Sequence, residues 1–199
     1  MSDNTLTYYN QNAEHFANST RYIDMSELYQ AFLPYINTQG LILDAGCGSA
    51  RDAAYFKSQG FNVNAFDASQ ELAELASAYL QQEVEVKRFQ ELDEKNLYDG
   101  IWCCASLLHV PKEALLTVFL NLETALKNNG VLYVSFKYGT HERLHNGRAF
   151  TDLNEEALVT LLDELPQLSL IKSWQTTDQR PERDSEIWLN ALIRKASNT

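Results

Sequence analysis

From residue 41 onward the apolar positions alternate between two kinds of pattern. Short runs at 41–45, 61–67, 84–89, 98–105, 131–138, 168–176 and 186–194 read as strands; 98–105 is nearly continuous, as a strand buried on both faces should be. Between them, 50–60, 70–81, 112–127 and 154–164 read as helices, with Leu115, Val118, Phe119, Leu122 and Leu126 sharing one helical face. Ser69 is placed to cap the helix at 70–81, and Gly130 suits a left-handed stop after 112–127. Ahead of this series, residues 5–35 are polar with scattered aromatics, and Leu28, Phe32 and Tyr35 recur at helical spacing, which predicts two N-terminal helices. The polar stretch after residue 138 reads as a loop, and Trp174 and Trp188 as core residues.

Alternating strands and helices predict a mainly parallel sheet covered on both faces, because parallel neighbours need a crossover that a helix fills. The last connection, 177–185, is too short for a helix, so the seventh strand is expected to return antiparallel as a hairpin. An α/β doubly wound, seven-stranded sheet in a single domain, 1–199, is the expected fold. Its parts are a helical cap (1–36), a ligand-binding half (37–138) and a substrate-side half (139–199).

Composition narrows the function. With 16 Lys+Arg against 27 Asp+Glu, the net charge of −11 disfavours nucleic acid and anionic lipid as partners. Even the segment LLTVFLNLETAL is broken by Asn121 and Glu123, so no membrane span is expected. The start lacks the features of a secretion signal, and three cysteines form no disulfide framework, which together suggest a cytoplasmic protein. Oligomeric state is not legible.

Ligands of open parallel sheets bind at the carboxyl ends of the strands where strand order reverses, usually after the first strand. There the sequence reads Asp44-Ala-Gly46-Cys-Gly48-Ser-Ala50, and Asp67 ends the second strand, placed to accept both hydroxyls of a ribose. This order predicts an adenosine-containing ligand. The glycine spacing fits a dinucleotide poorly, and Asp44, two positions before the first glycine, suits a ligand carrying an ammonium and a sulfonium.

At these residues the chain resembles the class I S-adenosylmethionine-dependent methyltransferases, whose first motif is an acid followed by GxG, as in LILDAGCGSARDAAYF. YYNQNAEHF and SLLHVP bring it nearest to the tellurite-resistance-related and general small-molecule group. The resemblance implies a Rossmann-like fold, S-adenosyl-L-methionine as cofactor, and methyl transfer to a small-molecule acceptor. By position it assigns Asp44, Gly46 and Gly48 to the methionine side, Asp67 to the ribose, Ala68 with Gln90, Glu91 and Leu92 to adenine, and Cys104 and Ala105 to the methionine portion. Arg51 is a candidate for the cofactor carboxylate, and Tyr8, Tyr9 and Phe16 for closing the site. A noncatalytic S-adenosylmethionine-binding module and an NAD-dependent oxidoreductase are the alternatives.

His109 and Tyr138 are the candidate bases, beside a structural reading of His109 as a packed imidazole. His141-Glu142-Arg143-Leu144-His145 matches HExxH, but its flanks, Gly139 and Asn146-Gly147, give no long helix, and no metal is expected. Arg143, Arg148, Arg180 and Arg183 fall after strands five and six, with Lys137 at the preceding strand end. They suggest an anionic group on the acceptor, with Arg148 and Arg180 the first candidates to bind it; the alternative is idle, solvated charge. A valine at Gly46 or Gly48 is expected to abolish binding by colliding with the ligand.

Overall fold

The computed structural model describes residues 1–178, 180 and 185–197. Three helices open the chain: α1 (Asp3–Gln11), α2 (Ala13–Thr20) and α3 (Ser26–Phe32). They replace the expected two because the polar break at Asn12 splits the first into α1 and α2. There follow β1 (Leu41–Ala45), α4 (Arg51–Ser58), β2 (Asn62–Asp67), α5 (Gln70–Leu80), β3 (Glu85–Val86) and β4 (Tyr98–Cys103). The remainder is α6 (Lys112–Ala125), β5 (Leu126–Lys137), β6 (Glu142–His145), β7 (Arg148–Thr151), α7 (Glu155–Asp163), β8 (Leu168–Thr177) and β9 (Ile187–Lys195).

Seven strands form one sheet in the order β3-β2-β1-β4-β5-β9-β8, parallel except that β9 runs antiparallel to both β5 and β8. Strand order reverses between β1 and β4, which opens the crevice where ligands of such sheets bind. The faces alternate residue by residue: Ile42 packs with Phe32, Phe56 and Trp102 on the α3–α4–α5 side, while Leu43 packs with Ile101, Phe119 and Leu122 on the α6–α7 side. A smaller cluster of Tyr9, Ala13 and Leu72 seats the cap on α5. Among the described residues no helix is long and apolar enough to cross a membrane.

Three expectations change in detail. The stretch after residue 138 holds a hairpin, β6–β7, closed by Asn146 (φ +50°) and Gly147 (φ +77°), a pair that matches the twist of its strands. The left-handed residue after α6 is Asn129 (φ +63°); Gly130 is there for space, since a Cβ on it would lie 2.8 Å from the Lys127 carbonyl oxygen. The third strand shrinks to an edge pair, and Phe89–Glu91 form a 3-10 turn instead.

Candidate active site

Between β1 and α4 the backbone passes through left-handed conformations at Gly46 (φ +75°), Gly48 (φ +52°) and Ala50 (φ +58°). The amides of Gly46 and Cys47 both donate to the Phe66 carbonyl, at 2.9 and 3.0 Å, which ties the turn to β2. A Cβ on Gly46 would stand 2.6 Å from Ser106 Cβ, and one on Gly48 would stand 3.0 Å from the Phe16 ring. The expected collision of a valine with the ligand is therefore corrected: at Gly46 the added atoms meet the protein first.

Three buried carboxylates organise the turn. Asp44 accepts the Ala53 amide at 3.0 Å and so caps α4, whose N-cap residue, Ala50, offers no side-chain bond. Asp67 accepts the amides of Gly48 and Ser69, each at 2.9 Å, joining the turn to the start of α5. Burial raises the carboxyl pKa of both, and the neighbouring Asp52 adds to the rise at Asp44. Asp52 goes the other way. Burial opposes its charge, but the Arg51 guanidinium (2.6 and 3.0 Å), the Tyr29 hydroxyl (2.5 Å) and the Trp102 indole N–H (2.8 Å) outweigh that and hold it below the ordinary range. Sequence reasoning missed Asp52; its only signal was an acid beside an arginine at the start of the helix after the turn.

Two adjoining cavities meet at Gly46 and Gly48. The larger, about 610 Å³, includes Arg51, Cys104, His109, Tyr138, Arg148 and Arg180 in its walls. The smaller, about 50 Å³, runs past Asp67, Ala68 and Gln90 beneath Met1, Tyr9 and Phe16 of the cap. Tyr9, Ala105 and His109 border both. Asp44, Glu91 and Leu92 are on neither wall: Asp44 lies under the turn, Leu92 is in the core, and Glu91 accepts the Arg88 amide at 2.7 Å.

His109 sits with Nδ1 2.7 Å from the Ala149 carbonyl oxygen and Nε2 2.8 Å from the Tyr9 hydroxyl. A carbonyl only accepts, so Nδ1 carries the hydrogen and Nε2 accepts the Tyr9 proton. Burial holds this imidazole neutral, its pKa lowered to about 4. The Ala149 amide in turn donates to Thr5 Oγ1 at 2.8 Å, so both backbone groups of one hairpin residue are used to hold the cap, one of them through His109. Tyr138 is half-exposed, and its hydroxyl donates to Glu155 at 2.9 Å, which raises its pKa.

The basic residues are mostly spoken for. Arg143 forks onto Asp152 (2.6 and 3.2 Å), Arg180 forks onto Asp178 (2.8 and 2.5 Å), and Lys137 reaches Asp178 and Glu186 while lying 3.9 Å from the Trp188 ring centre. Trp188 thus faces the cavity and not only the core. Arg183 lies outside the described residues. Glu142 to His145 form a strand, along which residues four apart stand roughly 13 Å apart; the HExxH segment therefore does not have the helical spacing that pattern needs.

The chain resembles known proteins over most of its length. A ubiquinone biosynthesis O-methyltransferase of Rickettsia conorii is 39% identical over 99 residues, which cover 47% of this chain and 34% of that one. The match therefore spans about a third of that relative. Among solved structures, the 1,6-didemethyltoxoflavin-N1-methyltransferase of Burkholderia thailandensis, bound to 1,6-didemethyltoxoflavin and S-adenosylhomocysteine, superposes with a TM-score of 0.79 at 23% identity over 98% of this chain and 88% of that one. The magnesium protoporphyrin IX methyltransferase of Synechocystis PCC 6803, with bound S-adenosylmethionine, gives 0.73 at 18% identity over 98% of each chain. The names of these relatives do not mention tellurite resistance. The methyltransferase-domain family profile matches residues 16–177, taking in the glycine turn, Asp67 and the sheet through β8, and the chain accordingly belongs to the class I S-adenosylmethionine-dependent methyltransferases.

Proposed function

We propose that the protein transfers a methyl group from S-adenosylmethionine to a small-molecule acceptor by in-line displacement. The observation that carries this reading is Asp67, buried at the end of β2 and bonded to the glycine turn. A carboxylate offers about four acceptor positions. The amides of Gly48 and Ser69 take two and the Ala68 amide also bonds it, so acceptor capacity remains on the cavity side for a ribose hydroxyl. Ala68 and Gln90 beside it suit adenine, with Glu91 and Leu92 shaping the turn behind them. Gly46, Gly48, Cys104, Ala105 and Arg51 suit the methionine end, Asp44 supports the turn, and Tyr9 closes it from the cap. A dinucleotide fits less well, because the Asp44 carboxylate already occupies the start of α4, where a pyrophosphate would have to sit.

Bound S-adenosylmethionine supplies a methyl group already activated by the sulfonium charge, so the protein's part is to align the acceptor and exclude water. The lone pair of His109 is engaged by Tyr9, and the Tyr138 hydroxyl donates its hydrogen bond to Glu155. Neither candidate base is free, which favours an acceptor whose nucleophile needs no deprotonation, and gives His109 the task of holding Tyr9 in place. Among the cations of the large cavity, Arg148 has no carboxylate partner among the described residues, which favours an acceptor with an anionic group.

Calorimetric titration with S-adenosylhomocysteine and NAD, followed by mass spectrometry of products from a panel of small acceptors, tests the reading. Binding of S-adenosylhomocysteine without NAD, and a product heavier by one methylene, is expected. Binding of NAD alone would overturn it, and tight cofactor binding with no methylated product across the panel would favour a noncatalytic module.

A further inference from the structure

Five lysines and arginines line the large cavity among the described residues, and four already face carboxylates: Arg51 with Asp52, Lys137 with Asp178 and Glu186, Arg143 with Asp152, and Arg180 with Asp178. Arg148 differs. No ion pair with a carboxylate joins it among the described residues, and its Nε is buried without a hydrogen-bond partner. Its guanidinium lies 4.5 Å from the Tyr8 ring centre and 5.3 Å from that of Phe150, against the Tyr9 hydroxyl. Aromatic faces on this planar group leave its N–H edge for a partner in its own plane.

Its backbone is held firmly, while its guanidinium meets the Tyr9 hydroxyl and, among the described residues, no carboxylate. Arg148 pairs with His145 at the tight end of the hairpin, and the next residue is Ala149, whose amide and carbonyl hold Thr5 and His109. The guanidinium is thus carried on a braced strand, and little side-chain freedom remains to be lost when an anion arrives.

We infer that Arg148 is the specificity-determining residue for the acceptor, and that the acceptor is a small molecule bearing a carboxylate, or a like planar oxyanion, beside an aromatic or other flat apolar body. This rests on the methyltransferase reading above and narrows its anionic acceptor to one anchor. Arg180 is excluded from the role because Asp178 fills its fork. A carboxylate has two sources in this enzyme, the acceptor and the amino-acid end of the cofactor, and the test separates them.

Benzoate and its neutral isostere benzamide are titrated by NMR into the full chain saturated with S-adenosylhomocysteine, using wild type, Arg148→Gln, Arg148→Lys and Arg180→Gln. Wild type is expected to bind benzoate at least tenfold more tightly than benzamide. Arg148→Gln should remove that preference and Arg148→Lys restore part of it, while Arg180→Gln changes benzoate affinity less than twofold and every variant keeps its S-adenosylhomocysteine affinity within twofold. An undiminished benzoate preference in Arg148→Gln, or none in wild type, would overturn the inference. A tenfold loss of S-adenosylhomocysteine affinity in Arg148→Gln would also overturn it, assigning the arginine to the cofactor. If wild type fails to bind S-adenosylhomocysteine, the methyltransferase reading falls, whereas benzoate titration of the free chain still reports on Arg148.

Discussion

The two ends of the cleft are built from different materials. On the side proposed for adenosine, backbone amides, glycines and the buried Asp67 make the walls, with Asp44 beneath them; both acids bond main-chain N–H groups of the turn and of the helices that flank it. On the acceptor side, the walls are long charged side chains neutralised in pairs across a hairpin and the strands beyond it. The first kind of wall has one shape and no slack. The second can exchange partners, and its single residues matter less to folding than to what is bound.

That contrast predicts a ranking of stability effects. Gly46→Val should be worst, because it combines a left-handed backbone with a clash against Ser106: roughly 2–5 kcal/mol, read as a fall in the denaturant midpoint without added ligand. A stable variant that merely lost cofactor affinity would mean the turn is looser than described.

Next is acid sensitivity. His109 has a native pKa of about 4 against an ordinary 6.5. Above pH 6.5 both native and unfolded forms are neutral there; as pH falls toward 4 only the unfolded chain takes the proton, and about 3 kcal/mol of stability is lost. Asp44 and Asp67, raised by burial, work in the opposite direction, so the test compares wild type with His109→Gln. The variant should show a shallower loss between pH 6.5 and 4, and identical slopes would remove His109 from the account.

Asp67→Ala should weaken S-adenosylhomocysteine binding by about 1.5–3 kcal/mol, or ten- to hundredfold, in calorimetry. It should also lower stability by leaving the amides of Gly48 and Ser69 unpaired. The smallest effect belongs to the acceptor side: Arg180→Ala, at a partly exposed pair whose acid keeps Lys137, should cost about 1 kcal/mol or less. A larger loss would show that the paired charges carry the fold after all.

The same contrast explains what was legible in the sequence. Glycine turns and strand-end acids announce themselves because backbone geometry demands those residue types at those positions, so Asp44, Gly46, Gly48 and Asp67 stood out as a set. The alternation of runs and periodic segments indicated a parallel sheet with an antiparallel last strand, whereas the order of the strands came from the structure. Asp52 did not stand out, since its donors Tyr29 and Trp102 come from α3 and β4 and nothing local marks them. The β6–β7 hairpin was available in Asn146-Gly147, yet its charged strands lack the apolar alternation that usually confirms such a turn. Which cavity-lining arginine is left without an acid is likewise decided by tertiary pairing.

The hairpin's attachment has a bearing on how such a protein diversifies. It enters and leaves the sheet between β5 and α7, on the far side of β4 from β1 and β2, and its strands pair only with each other. Residues can be inserted or exchanged at its Asn146-Gly147 tip without shifting the register of any sheet strand, since lengthening a surface loop costs little chain entropy. The tether at Ala149 sits two residues back from that tip, so a new tip would inherit the same anchorage to the cap. If Arg148 reads the acceptor as proposed, a lineage carrying this fold can alter its choice of acceptor at one end of a strand pair, while the glycine turn is copied unchanged.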